Sequence, residues 1–317
     1  MRYSRQELVI GKSAQRKLSQ AKIAIVGIGA LGSTAAELLV RAGVAQLTII
    51  DRDRVDLSNM PRQTLYTDED ISRPKAEAAY ARLKLISPKL VLNRHVDELS
   101  PSNALQLLDN HSLILDGTDN MYVRFLINDC SRKLGIPWVY GASIREVGSV
   151  MAITKDTPCF ACVFPTGSGH ETCETVGVLN TATTMTAALQ VHRAIRLLTG
   201  KPAAGRLIHI DLEAPQLTIS KVNRRPDCPA CRGEYLYLEG KDNEEALALR
   251  CSSLYHFRLS GLSLPDLASR LKRSGPVISG DTYLFFRNIS VYSDGRVLVR
   301  ANSERIAKAA IAKYIGT

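Results

Sequence analysis

No stretch of this chain approaches the ~18 consecutive apolar residues of a membrane-spanning helix, although 45% of its 317 residues are hydrophobic. The opening residues, MRYSRQELVI, show none of the basic, apolar and small-residue succession of a secretory leader. A soluble, cytoplasmic protein is therefore expected. A Gly-x-x-x-x-Gly-Lys-Ser/Thr loop is also missing, which argues against a P-loop ATPase. Aromatic residues make up only 6% of the chain and nowhere interleave with basic ones as in an RNA-binding module, so nucleic acid is not an expected partner. Without internal repeats or low-complexity segments, the length suits one large core and a second, small one.

What is present is uneven charge. The formal net charge is +10, and residues 251–317 hold ten Lys or Arg against four Asp or Glu. Such a balance implies an anionic partner or a solvated basic face. Seven cysteines are present. Four of them form two Cys-x-x-Cys pairs, a pattern that in a long chain without a leader points to metal rather than to disulfides.

The apolar run KIAIV (22–26) leads into GIGALG, then a helical pattern through Leu39, then the strand QLTIID ending at Asp51. Alternation continues with a helix opening near Pro74, a strand near KLVLNRHV, the strand SLILD (112–116), a helix over NMYVRFLINDCSRKLG, and the strand PWVYGAS. This is the pattern of a doubly wound, Rossmann-like, mainly parallel α/β sheet. Beyond Val147 the pattern changes to short strands and one long helix from about Val178 to Leu198, followed by RLIHID and QLTIS, an antiparallel extension. GEYLYLEGKDNEEA has the charged look of a linker, and the remainder alternates as a small α/β module. The expected organisation is a nucleotide-binding domain over 1–233, a linker over 234–250 and a small basic domain over 251–317.

Gly27, Gly29 and Gly32 sit between a strand and a helix, where glycine permits a tight turn and close approach of backbone to phosphate. Asp51 follows Gly32 by 19 residues, at the position from which a carboxylate accepts ribose hydroxyls. These residues alone fit a redox dinucleotide site best. Asn59, Arg62 and Lys75 change that reading, because an amide and two fixed cations beyond the turn suit a triphosphate better than a nicotinamide ring. Asp119, in LDGTDN at the end of a parallel strand, has the chemistry to hold Mg²⁺ between phosphate oxygens, with Asp116 as an alternative cap of the same turn.

The ordered set RYSRQ, GIGALG, DRDRVDLSNMPRQ, RPKAE, LDGTDN, two Cys-x-x-Cys pairs and TCETVGV resembles the ThiF/MoeB family of adenylyltransferases, relatives of the ubiquitin-activating enzymes, over about residues 2–232. The resemblance implies ATP- and Mg²⁺-dependent adenylation of the C-terminal Gly-Gly carboxylate of a ubiquitin-like, ThiS- or MoaD-like carrier protein. It also implies that Asp51 binds ribose, that Ser58, Asn59, Arg62 and Lys75 contact phosphates, and that Asp119 and Asn120 complete the metal and nucleotide site. Arg5 is implied to reach into a partner subunit, which makes the expected assembly a homodimer. Ala30 departs from the family's usual glycine; its backbone N–H is still available. Adenylation of a peptide or of a tRNA nucleoside, and a non-catalytic nucleotide-binding scaffold, are the competing readings.

Cys159, Cys162, Cys228 and Cys231 supply four thiolates in two short turns, which suits a closed, structural Zn²⁺ site. Cys173 lies in a Gly-, Ser- and Thr-rich stretch before the long helix. It is either an inert loop thiol or, as the resemblance implies for some members, the thiol that takes the carrier as a thioester or acyl-disulfide.

Overall fold

The computed structural model describes residues 2–165, 176–241 and 254–316. It divides the chain into two compact units, Met1–Leu247 and Ala248–Thr317.

The first unit opens with two short helices, α1 (Ser4–Ile10) and α2 (Lys12–Gln20), and is built on eight strands: β1 (Lys22–Val26), β2 (Gln46–Ile50), β3 (Val91–His95), β4 (Leu113–Asp116), β5 (Trp138–Ile144), β6 (Val147–Ile153), β7 (Arg206–Asp211) and β8 (Gln216–Lys221). Their order in the sheet is β3-β2-β1-β4-β5-β6-β7-β8. β1 to β5 pair in parallel, and β6 to β8 continue the sheet antiparallel. The helices between and after them are α3 (Ala30–Ala42), α4 (Lys75–Ile86), α5 (Ala104–Leu108), α6 (Met121–Leu134), the one-turn α7 (Phe160–Val163), α8 (Asn180–Leu198) and the one-turn α9 (Pro229–Arg232). α3 packs beside α4 and α8, while α6 packs beside α5 and α7.

Helix ends follow the sequence. Gly43 closes α3 at φ 97°, letting its own N–H and that of Val44 return to Val40 and Leu39 carbonyls. Asn120 opens α6, its Oδ1 accepting from the N–H groups of Tyr122 and Val123. Strand order reverses between β1 and β4, because the chain leaves β3 at one edge and returns on the far side of β1. Open α/β sheets bind ligands beyond the carboxyl ends of their strands at such a point.

Later segments of the chain are anchored on α6. Asn128 Oδ1 accepts from Phe160 N–H at 2.9 Å, and Asp129 Oδ2 accepts from the N–H groups of Tyr237 and Leu238 at 2.9 and 3.3 Å. Tyr237 stacks on Phe125 at 4.6 Å between ring centroids, and Phe125, Phe160, Tyr140 and Trp138 continue one aromatic cluster. Tyr235, Tyr237 and Leu238 thus belong to the core of the first unit, although their neighbours Glu234, Glu239 and Lys241 gave the segment the look of a linker.

Burial raises the Asp129 carboxyl to about 7. An acid whose pKa is higher folded than unfolded loses stabilisation as pH rises between the two values, here from about 4 to 7. Asp129→Asn keeps an acceptor for the two N–H groups. The stability of the variant relative to the native chain should therefore rise by about 2 kcal/mol between pH 5 and 7 in urea unfolding; a pH-independent difference contradicts this role.

The second unit is a five-stranded antiparallel sheet of β9 (Leu254–Arg258), β10 (Val277–Ser279), β11 (Tyr283–Phe286), β12 (Ile289–Tyr292) and β13 (Arg296–Arg300), ordered β10-β11-β12-β13-β9, with α10 (Leu264–Leu271) and α11 (Glu304–Tyr314). Leu284, Phe286, Ile289, Val291, Val297 and Val299 alternate onto one face and pack with Leu267, Leu271, Ala307 and Ile311 of the helices. This period-2 and helical patterning is sufficient to account for its own small core.

Candidate nucleotide site and cysteine cluster

Three glycines interlock where β1 and β4 end. Gly27, at φ 85°, approaches Gly117 so closely that a Cβ on it would lie 2.6 Å from the Gly117 carbonyl oxygen, and a Cβ on Gly32 would lie 1.9 Å from the oxygen of Gly27. Those positions accept no side chain. Gly29 differs: the nearest atom to a Cβ there is Gln63 Nε2 at 3.8 Å. Its smallness leaves open space at the start of α3 rather than relieving contact within the chain, which is what close approach of a ligand requires. Ala30 is the first residue of α3.

Asp51, at the end of β2, is buried; Oδ2 accepts from Ile28 N–H and Oδ1 from Asp53 N–H, both at 2.7 Å. Burial raises its pKa, opposed by Lys75 and the two backbone donors. A carboxylate offers about four lone-pair positions, so two remain for hydroxyl donors. Lys75 opens α4 and is also buried, its Nζ 3.3 Å from Asp53 Oδ2. Burial lowers its pKa, but Asp53, Asp51 and Asp119 outweigh that and hold the ammonium charged.

Ser58 and Asn59 lie in a single 3₁₀ turn, Leu57–Asn59, held by Asp56, whose Oδ1 accepts from Ser58 N–H and Oγ at 2.9 and 2.6 Å. Arg62 donates to the Ser58 carbonyl at 2.8 Å. Asp119 is exposed on the loop after β4, and Asn120 is the cap of α6. Asp51, Lys75 and Asp119 are thus brought together from three segments. Arg5 is not: it is exposed on α1 and makes no hydrogen bond or ion pair among the described residues. Cys173 lies outside the described residues.

Four supporting residues carry no local motif. Tyr66 donates to the Ile28 carbonyl at 2.7 Å, tying the glycine turn to the loop before α4. Gln63 is buried, and its Oε1 has no partner among the described residues; an orphaned buried acceptor beside Gly29 marks where a ligand donor is wanted. Arg124, on α6, donates from Nε to Asp116 at 3.1 Å and from Nη2 to the carbonyls of Thr118 and Gly141 at 2.5 and 3.3 Å. Asp116 in turn accepts from Thr118 N–H and Oγ1, and its carbonyl accepts from Gln190 of α8 at 2.7 Å. Burial raises the Asp116 carboxyl, and Arg124 opposes this. The sequence alternative of Asp116 as the cap of this turn therefore holds, and the loop presenting Asp119 is fixed from beneath. Arg124→Lys keeps the charge but loses the fork, and should cost about 2 kcal/mol of unfolding free energy; an unchanged urea midpoint contradicts this.

Cys159 and Cys228 immediately precede α7 and α9, and Cys162 and Cys231 lie three residues on. The sulfurs of Cys159–Cys162, Cys159–Cys228, Cys162–Cys231 and Cys159–Cys231 stand 3.8, 3.5, 3.6 and 3.5 Å apart. A tetrahedral Zn²⁺ with bonds of about 2.3 Å places its sulfurs about 3.8 Å apart, so the donor set and geometry fit that ion. Burial pushes Cys228 up to about 11 and Cys159 further. Cys162 is also penalised by burial, but N–H groups of Arg225 and Cys159 and the neighbouring thiols hold it low. Four sulfurs at contact distance, three of them on buried residues, become thiolates together only with a cation among them.

Fold and site define an α/β protein of the doubly wound class, with an open glycine turn at its strand ends and a cluster of four cysteines arranged as a metal ion would require. The profile of the ThiF family matches residues 3–230. The chain is 34% identical over 334 aligned residues to the sulfur carrier protein ThiS adenylyltransferase of Bacillus subtilis, covering 99% of each. It is 35% identical over 238 residues to the molybdopterin-synthase adenylyltransferase of Salmonella typhimurium, covering 73% of this chain and 96% of that one. Among solved structures, Escherichia coli MccB bound to ATP superimposes with a TM-score of 0.65 at 18% identity, over 73% of this chain and 75% of the other, a likeness of fold. This chain belongs to the ThiF family.

Proposed function

We propose that the protein adenylates the C-terminal Gly-Gly carboxylate of a ubiquitin-like sulfur carrier protein, using ATP and Mg²⁺. The observation that carries this reading is the convergence of Asp51, Lys75 and Asp119 around an open glycine turn, in a chain whose full-length relative is a ThiS adenylyltransferase. That relative and the Salmonella enzyme favour a carrier protein over a peptide or a tRNA nucleoside.

The carrier carboxylate is ionised at neutral pH. One of its oxygens attacks the α-phosphorus of ATP, the bond from that phosphorus to the bridging oxygen breaks, and pyrophosphate leaves with the electron pair. No proton is transferred, so the protein's contribution is alignment and charge. Asp51 accepts the ribose hydroxyls. Gly27, Gly29, Ala30 and Gly32 present the turn and the N-terminus of α3 to the phosphates. Ser58, Asn59, Arg62 and Lys75 contact the phosphate chain, the two cations lying where leaving charge develops. Asp119, with Asn120 beside it, holds Mg²⁺, which when bound neutralises phosphate charge.

Arg5 completes the site of a second copy in a homodimer. Beside it on α1, which has no buried residue, Leu8 and Val9 are 82% and 85% exposed, an apolar pair that a partner would cover. Zn²⁺ on Cys159, Cys162, Cys228 and Cys231 is structural. Among the described residues no helix is long and apolar enough to cross a membrane.

The test is intact mass after incubation with ATP, Mg²⁺ and Gly-Gly-terminated carriers. Carrier gaining one AMP is expected; a carrier that stays unmodified while a peptide or tRNA is adenylated contradicts the reading. If Cys173 also takes part, a covalent carrier–enzyme adduct appears without reductant and disappears in Cys173→Ala.

A further inference from the structure

The nucleotide site gathers its cations where β1 and β4 finish. At the opposite end of the same sheet lies a second group of cations that no acid among the described residues answers. β6 is antiparallel to β5, and β7 to β6, so Arg206, the first residue of β7, and Lys221, its register partner on β8, stand at the end where β5 begins. α8 brings Arg193 and Arg196 there, since Arg193 lies within electrostatic reach of both Arg196 and Arg206. The N–H of Lys201 closes α8 on the Arg196 carbonyl at 2.8 Å, and Lys17 Nζ, from α2, stands 3.5 Å from where a Cβ would sit on Gly200. None of these six side chains has an ion-pair partner among the described residues, whereas Arg41, Arg73, Arg94 and Lys308 each have one.

Solvated cations alone do not account for the arrangement. Arg193 is half-buried, and its Nε is fully buried with no acceptor among the described residues. Burial, then Arg196 and Arg206, all push its guanidinium in the same direction, towards losing charge. The C-terminal end of α8 offsets only about half an elementary charge. A buried unsatisfied donor calls for a partner, and two further guanidiniums, Arg196 and Arg206, within electrostatic reach of Arg193 favour an anion over water.

We propose that this end of the sheet is a second anion site, separate from the nucleotide site, that takes phosphate groups. Guanidinium forks match phosphate oxygens in pairs, and a multiply charged group answers several cations where one carboxylate answers one. The group would belong either to a small phosphate such as pyrophosphate or to the backbone of a nucleic acid.

Calorimetric titration of the full chain with pyrophosphate tests this, with the nucleotide site filled by a non-hydrolysable ATP analogue and Mg²⁺. Binding is expected to persist with the analogue present and to weaken at least tenfold in Arg193→Gln/Arg206→Gln, while the variant's ATP–pyrophosphate exchange and melting temperature stay unchanged. Should that variant not fold, Arg196→Gln/Lys221→Gln, at exposed positions, is expected to weaken binding in the same direction. A parallel titration with a tRNA transcript identifies the source: nucleic acid gives tighter binding whose salt dependence becomes shallower in the variants. Should the analogue itself not bind, the proposed function fails while the pyrophosphate arm, run in Arg62→Ala, still reads the second site. Equal affinity of native and variant chains for both probes, or binding of poly-glutamate alone, overturns the proposal.

Discussion

Asp119→Ala is expected to lower ATP–pyrophosphate exchange about 10²- to 10³-fold, the loss typical of removing one preorganised electrostatic contact, and to leave the melting temperature within about 2 °C, since exposed side chains contribute little to stability. The geometry separates the two effects. The Asp119 carboxylate is exposed, and the loop that presents it is held by Asp116, Thr118 and Arg124, with Asn120 capping α6 independently. Removing the carboxylate therefore leaves the scaffold intact but withdraws the acid proposed to hold the metal. Arg62→Ala is expected to behave alike, because among the described residues Arg62 donates only to the carbonyl of Ser58 in a surface turn. Exchange within threefold of the native rate in either variant, at saturating carrier, would remove that residue from the proposed site.

Stripping Zn²⁺ with a chelator under reducing conditions is expected to abolish the cooperative fold of the first unit. Binding free energies of structural zinc reach about 10–16 kcal/mol, as large as the stability of a whole domain. The cluster joins residues 159–162 to residues 228–231, and α6 holds the first lobe through Asn128 and, through Asp129, residues 237–238 just beyond the second. Cys159 and Cys228 are fully buried, so four thiols left without a cation must be reprotonated in an apolar setting. Cys228→Ala should accordingly yield a protein that melts far lower and no longer gains stability on adding Zn²⁺. Metal analysis of freshly purified, reduced protein should give one zinc per chain, and unchanged melting after chelation contradicts the structural role.

Much of this was legible in residue order, and the reason is locality. Gly27, Gly29, Gly32 and Asp51 belong to one βαβ unit, and their spacing is dictated by the turn and the next strand. Each Cys-x-x-Cys is one helical turn; that the two pairs meet across 69 residues follows from metal chemistry rather than from any periodic pattern. The small second core was visible as alternation in β11 to β13. What escaped sequence reasoning acts over long range through single hydrogen bonds. Arg124 and Gln190 look like ordinary helix residues until Asp116 is placed between them, and Gln63 reads as part of a polar loop until its burial is known. A faint signal existed for Arg124, four residues into a helix opened by Asn120 directly after a strand-end acid. The segment at 234–241 misled because its charges outnumber its tyrosines, yet Tyr237 decides where it packs.

Whether this chain adenylates a carrier is decided by ATP–pyrophosphate exchange with the purified protein, Mg²⁺ and each Gly-Gly-terminated carrier from the same organism, run beside a carrier lacking its last glycine. Exchange is expected to depend on one intact carrier and to fall to background with the truncated one. Exchange that is equally fast without any carrier, or absent with all of them while the protein is folded and zinc-loaded, would contradict carrier adenylation.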